Sequence, residues 1–123
     1  MLSPAVARRL EALQPDTSAE LHTILGQARE AVEPSLLALC ASCAEAALRC
    51  EDWQPPGGGL DDRQQAFIAF TEQFVSAVSN TSHAQVARLL EYASADEVYA
   101  FVHALYVIDM ALRLEIVGSE VLA

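Results

Sequence analysis

Six helix-start signals divide this chain, and they constrain its fold more than any other feature. Ser3 stands before Pro4, an order in which serine caps a helix and proline occupies its first turn. The other signals are three pairs with capping-box spacing, a proline and an aspartate pair: Thr17 with Glu20, Ser82 with Gln85, Ser94 with Glu97, Pro34, and Asp61 or Asp62. No segment shows the sustained period-two alternation typical of a strand. The sequence therefore predicts an all-α fold, a compact bundle of about six helices.

The apolar periodicity and the turn residues set the expected helix bounds. We predict helices over Pro4 to Leu13, from Thr17 to about Val32, Pro34 to about Cys50, Asp61 or Asp62 to about Ser79, a short one from Ser82, and a long one from Ser94 to near Gly118. The strongest breaker cluster, residues 54–59, lies in a loop predicted over 51–62. Because each side of this loop is too small for a core of its own, we expect residues 1–123 to form one domain.

Composition and charge exclude several classes of protein. Apolar residues make up 53% of the chain, which is too many for an intrinsically disordered protein. The chain contains seven arginines, no lysine and 17 acidic residues. The resulting net charge of -10 disfavours binding to nucleic acid or to a membrane surface. The N-terminal segment lacks the apolar region of a secretory signal, and three cysteines fit a reducing compartment. We therefore expect a cytoplasmic protein with free thiols.

The last predicted helix carries two apolar stripes, which is more than one core contact requires. Val98, Val102, Leu105, Leu112 and Ile116 form one stripe, and Tyr99, His103, Tyr106, Met110 and Arg113 form the other. A domain of this size leaves the outer faces of its helices in water. We therefore predict that the second stripe meets another subunit, giving a homo-oligomer, or lines a pocket for a small hydrophobic or acidic ligand.

The three cysteines lie on one face of the third predicted helix. Cys40 and Cys43 are three residues apart, and Cys50 follows seven residues later. Cys40 lies well inside the helix, where neither the N-terminal dipole nor a neighbouring cation would lower its pKa. We expect Cys40 and Cys43 to be small core residues, and Cys50 to be more exposed beside Glu51 and Asp52.

Few other residues could carry chemistry. The three histidines are scattered without metal-ligand spacing, so no metal site and no cofactor is expected. His103 lies among apolar residues and is a candidate proton carrier or interface histidine. Glu72 interrupts an apolar helix, and we consider His103 and Arg113 as its partners. Asp109 and Arg113 are spaced for an ion pair within one helix.

The second half of the chain resembles the carboxymuconolactone decarboxylase and alkylhydroperoxidase-D-like family. The resemblance covers about half of the chain and rests on three stretches: Leu60 to Val75, His83-Ala84-Gln85-Val86, and Ala104 to Asp109 with Arg113-Leu114. It implies an all-α oligomer. In the peroxidase branch, it also implies a glutamate, a Cys-x-x-Cys pair and a following histidine that together form a thiol relay for reducing peroxides.

That relay is incomplete in this chain. If Cys40 and Cys43 are the motif pair, the histidine position is Ala47 and the glutamate position is Ala28. If Cys50 is the first cysteine, the second cysteine position is Trp53 and the histidine position is Gly57. Neither register retains the acid, both thiols and the base.

Three functional hypotheses follow. The first is a divergent member of this family without thiol peroxidase activity, which keeps a hydrophobic ligand-binding or assembly role, with Tyr99, Tyr106, Arg113 and Trp53 as ligand-binding candidates. The second is a weak thiol-dependent peroxidase, an antioxidant protein using Cys40, Cys43 or Cys50. The third is a lactone or small-acid decarboxylase using Glu72, His103 and Arg113.

Overall fold

The chain folds into six α-helices in a computed structural model that describes residues 2–122. In chain order the helices are α1 (Pro4–Leu13), α2 (Pro15–Ala31), α3 (Pro34–Leu48), α4 (Asp62–Ala77), α5 (His83–Leu90) and α6 (Ala95–Val121). Two single 3-10 turns lie between these helices, one at Pro56–Gly58 in the loop between α3 and α4, and one at Val78–Asn80 directly after α4. Residues 2–122 contain no strand, so the prediction of an all-α bundle is confirmed.

Most of the predicted helix starts are confirmed by their hydrogen bonds. The Ser3 side chain accepts from the Val6 N–H, and the start of α4 is capped by Asp61 rather than by Asp62. α4, α5 and α6 each begin with a complete capping box, formed by Asp61 with Gln64, Ser82 with Gln85, and Ser94 with Glu97. Short polar side chains that satisfy free helix N–H groups therefore set these three starts.

The predicted capping box of Thr17 and Glu20 is wrong. α2 begins at Pro15, directly after Gln14, and no side chain caps it. Proline has no N–H to satisfy, so it fits the first turn of a helix without a cap. Thr17 therefore lies inside the helix, and α1 and α2 are separated by a single residue.

Two predicted helix ends also differ from the structure. α6 continues to Val121 rather than stopping near Gly118. α3 ends at Leu48, and Cys50 lies beyond it with a φ of 56°. The Cys50 N–H donates to the Ala47 carbonyl at 3.2 Å and the Glu51 N–H to the Ala46 carbonyl at 2.9 Å, the two bonds of a Schellman motif. Cys50 therefore lies outside the helix face that carries Cys40 and Cys43.

The core is centred on α6. α2 and α3 pack against α6, and α3 also packs against α4. The Phe67 ring of α4 meets the Phe101 ring of α6 edge to face, with centroids 4.8 Å apart. Phe101 and Leu105 are buried, as are Leu36, Cys40 and Ala44 of α3. α6 therefore packs against α2, α3 and α4, and it also contacts α1 and α5.

Polar contacts attach the peripheral segments to this core. The Ser3 N–H donates to the Glu115 carboxylate at 2.9 Å, which joins the start of α1 to α6. In the loop after α3, Trp53 Nε1 donates to Ser42 Oγ at 3.0 Å, and its ring packs against the core. These bonds hold the N-terminus and the Pro/Gly loop against the bundle.

Replacing Cys50 with glycine is expected to stabilise the fold by about 1 kcal/mol. In every residue but glycine, a left-handed φ brings Cβ close to the backbone, which costs about 1–2 kcal/mol. Glycine removes this cost, but it also gives the denatured chain more conformational entropy, which offsets part of the gain in stability. Urea unfolding should show a higher midpoint for Cys50→Gly at unchanged slope.

The matched control is Arg49→Gly, one residue earlier. Arg49 has an ordinary helical φ of -87°, so glycine there relieves no backbone strain; it adds entropy to the unfolded chain and removes the ion pair with Glu45. This variant should be less stable than the parent protein. Equal destabilisation by both glycines would contradict the left-handed cap at Cys50.

Candidate functional site

Cys40 and Cys43 are buried where α3 packs against α4. Their exposed fractions are 0% and 1%, which confirms that both are core residues. Beyond residue 48 the chain leaves the helix, and Cys50 is exposed on the surface, as expected. All three thiols are free.

The buried thiols are held in the protonated form. Burial raises the pKa of Cys40 to about 11, although Thr71 and Arg63 act in the opposite direction. Burial, the Glu72 charge and the neighbouring Cys40 raise the pKa of Cys43 to about 12. Because the thiolate is the nucleophile in peroxide reduction, both side chains are weakly reactive at neutral pH.

Glu72 contacts Cys43 rather than either partner considered for it. The Cys43 S–H donates to Glu72 Oε1 at 3.8 Å across the α3–α4 contact. Arg113 instead donates to Asp109 at 3.0 Å and to the Val75 carbonyl at 3.1 Å. The predicted Asp109–Arg113 ion pair is therefore confirmed.

Several residues singled out in the sequence meet at one open cavity. A cavity of about 460 Å³ at the end of α3, here called the thiol cavity, is lined by Cys43, Cys50, Glu72 and Trp53. Glu51 and Asp52 complete its charged lining, and none of the lining residues is cationic. Negative charge disfavours thiolate formation and repels anionic substrates. The cavity therefore brings Cys43 and Cys50, but not Cys40, together without the electrostatics that thiol chemistry needs.

The residues of the decarboxylase hypothesis are dispersed. Glu72 lines the thiol cavity, while Arg113 lines a groove between α1 and α6. His103 is exposed on the outer face of α6. No hydrogen bond or ion pair within residues 2–122 joins any two of these three side chains.

The α1–α6 groove is the larger of two apolar depressions. Its volume is about 610 Å³, and its apolar lining comes from both helices: Val6, Leu10, Met110, Leu114, Val117, Val121 and Leu122. Arg113 and Asp109 lie at one end. Of the four predicted ligand-binding residues, only Arg113 lines this groove, whereas Trp53 lines the thiol cavity.

The second apolar depression was not predicted. It has a volume of about 360 Å³ and lies where α2, α3 and α6 meet. Small side chains, Ala28, Ala38 and Ala41, leave this space. Their recurrence on α2 and α3 is visible in the sequence, but alanine also fills tight helix contacts, so composition does not distinguish a gap from close packing.

Comparison of the chain with protein-family models, curated proteins and solved structures finds no match. Within residues 2–122 no cluster of histidine, cysteine or acidic side chains could hold a metal ion. No helix in the same range combines the length and the apolar character needed to span a membrane.

The raised thiol pKa values predict alkaline sensitivity. A free thiol has a pKa near 9.0, so above this pH the unfolded chain loses protons that the folded protein keeps until about pH 11 to 12. Stability is then full below pH 9 and falls as pH rises, by up to about 1.4 kcal/mol per pH unit for each thiol.

The free energy of unfolding, measured in urea from pH 8 to 10.5, checks this prediction. The variant with Cys40→Ala and Cys43→Ala should be less stable at pH 8 because it leaves cavities, but its stability should decline less steeply with pH. Cys50→Ala is the control and should keep the parent slope. Parallel slopes for all three proteins would show that the two buried thiols do not titrate in this way.

Proposed function

We propose that this protein is a self-assembling subunit that forms a two-fold homodimer through the outer face of α6 and has no thiol peroxidase activity. A divergent alkylhydroperoxidase-D-like protein that has lost its thiol relay would fit this description. The observation that carries the proposal is an exposed apolar stripe along the whole of α6.

The stripe extends over the full length of α6. At 100° per residue its six side chains fall within an arc of about 80°. They are Tyr99, Tyr106, Met110, Leu114, Val117 and Val121, exposed by 78%, 56%, 40%, 39%, 60% and 71%. From Tyr99 to Val121 the stripe is about 33 Å long. The exposed His103 lies in the same arc between Tyr99 and Tyr106. Isolated exposed apolar residues are common, but a row of this length is typical of an interaction surface.

The stripe cannot be buried within its own subunit. The opposite face of α6 already packs in the core through Phe101, Leu105, Ile108 and Leu112. Tyr106 is held in place from the side, because its ring meets Phe74 of α4 edge to face at 4.7 Å. Rotating α6 to cover the stripe would expose the core residues instead.

A second copy of the chain fits this surface. Met110 lies at the middle of the stripe, so a two-fold axis there places Tyr99 opposite Val121 and Tyr106 opposite Leu114 of the other copy. The N-terminal half carries the projecting tyrosines, and the C-terminal half carries the α1–α6 groove. The tyrosines of each copy can therefore enter the groove of the other, which is the self-complementarity that a two-fold interface requires.

The area of this contact is suited to a reversible dimer. A strip about 33 Å long and up to about 20 Å wide, the width of two packed helices, covers on the order of 600 Å² per subunit. Standard interfaces bury about 800 Å² per partner. The net charge of -10 on each copy opposes association.

The cysteines support a non-catalytic reading. Cys40 and Cys43 are buried and protonated, and the cavity beside Cys43 and Cys50 is lined by carboxylates without a cation. A thiol peroxidase instead needs an accessible thiolate. The incomplete relay in the sequence points in the same direction.

Replacing Tyr99 with glutamate should weaken dimerisation at least tenfold. Tyr99 is 78% exposed, so the change does not disturb the fold, but it places a charge in the apolar contact. Sedimentation equilibrium from 1 to 200 µM measures the effect. Raising the salt concentration should strengthen the parent dimer because it screens the charge repulsion.

Tyr92→Glu is the matched control. Tyr92 lies outside α6 and is 37% exposed, so the same added charge should leave dimerisation within about twofold. A parent protein that remains monomeric at 200 µM, or equal weakening by both glutamates, would refute the proposed interface.

Peroxide consumption separates this proposal from the antioxidant hypothesis. With a dithiol as reductant, the protein should consume cumene hydroperoxide no faster than Cys50→Ser or the double variant Cys40→Ser and Cys43→Ser. Rapid consumption that is lost in either variant would establish thiol chemistry and contradict the non-catalytic role. Equal rates above the protein-free background would exclude the cysteines as its source.

A further inference from the structure

The cavity between α2, α3 and α6 has the composition of a small-molecule site. Its volume of about 360 Å³ lies at the small end of the range for ligand pockets, roughly 300–1,000 Å³. Seven of its eight lining residues are uncharged, and they are Leu25, Ala28, Pro34, Leu37, Ala38, Ala41 and Ile108. The eighth is Arg29.

Arg29 gives this cavity one polar end. It lies in the last turn of α2, and within residues 2–122 it takes part in no ion pair. In contrast, the arginines at positions 49, 63 and 113 are each paired with a carboxylate. Arg29 is exposed, and no acidic side chain lines the cavity beside it.

We infer that this cavity binds a medium-chain monocarboxylate, with the alkyl chain among the apolar side chains and the carboxylate at Arg29. A guanidinium forms paired, charge-assisted hydrogen bonds with a carboxylate, whereas it repels an amine and gains less from a neutral alcohol. The apolar walls offer the rest of the ligand no polar partner. An aliphatic chain is therefore the portion that they accommodate.

The site is independent of the proposed dimer. Ile108 lies on the face of α6 opposite the exposed stripe, and the other lining residues belong to α2 and α3. Ligand binding and self-association can therefore be tested separately, and the failure of one does not imply the failure of the other.

Isothermal titration with octanoate, octan-1-ol and octylamine tests the head-group preference. We expect saturable binding with octanoate tightest, the alcohol weaker and the amine weakest. Arg29→Gln should weaken octanoate binding about five- to tenfold and leave octan-1-ol binding nearly unchanged. Arg88→Gln, which removes the same charge from α5, should change octanoate binding by less than twofold.

Filling the cavity tests its location. Ala38 is on the surface side of the lining, so the larger side chain of Ala38→Leu fills part of the cavity without overpacking the core. It should weaken both octanoate and octan-1-ol at least tenfold, with an unchanged helical circular dichroism spectrum. Ala19→Leu, at an exposed position of α2 away from the cavity, should have no effect on either ligand.

Three outcomes would overturn the inference. The first is the absence of saturable octanoate binding up to 5 mM, and the second is equal affinity for octanoate and octylamine. The third is octanoate binding that survives Ala38→Leu in a folded protein. Tyr99→Glu serves as the cross-check, because it should impair the dimer and leave octanoate affinity unchanged.

Discussion

The packing of Phe101 against Phe67 and Phe70 fixes the orientation of α6, and the other surfaces depend on that orientation. The ring centroids of these pairs lie 4.8 Å and 6.3 Å apart, so α4 and α6 meet through aromatic rings in the centre of the core. Once Phe101 faces inward, helical geometry places Leu105, Ile108 and Leu112 inward with it. The same rotation turns Tyr99 and Tyr106 outward.

This orientation separates three chemically different environments. The junction of α2, α3 and α6 leaves an apolar space with Arg29 at one end, and the contact between α3 and α4 seals Cys40 and Cys43 from water. On the outer side, α1 and α6 form the open groove beside the exposed stripe. The chain's apolar content therefore fills a core and also leaves apolar side chains of α6 exposed.

The cysteines illustrate which features of the candidate site could be predicted from the sequence and which could not. Their helical spacing and apolar neighbours predicted buried, inert thiols at Cys40 and Cys43. The contact between Cys43 and Glu72 was not predicted, because it depends on how α3 and α4 pack across the intervening loop. The position of Cys50 was also missed in part, since α3 ends two residues earlier than expected and a left-handed residue reverses the chain there.

By itself the sequence determined the helices, because capping boxes, prolines and apolar periodicity act over a few residues and need no distant contacts. It also placed a second apolar stripe on the last helix. Only the tertiary structure decided that the exposed apolar row continues through Leu114, Val117 and Val121, that Glu72 contacts Cys43 and that small side chains leave a cavity beside Arg29. Those outcomes depend on the relative rotation and separation of helices, which are set by side chains packing between elements far apart in the chain.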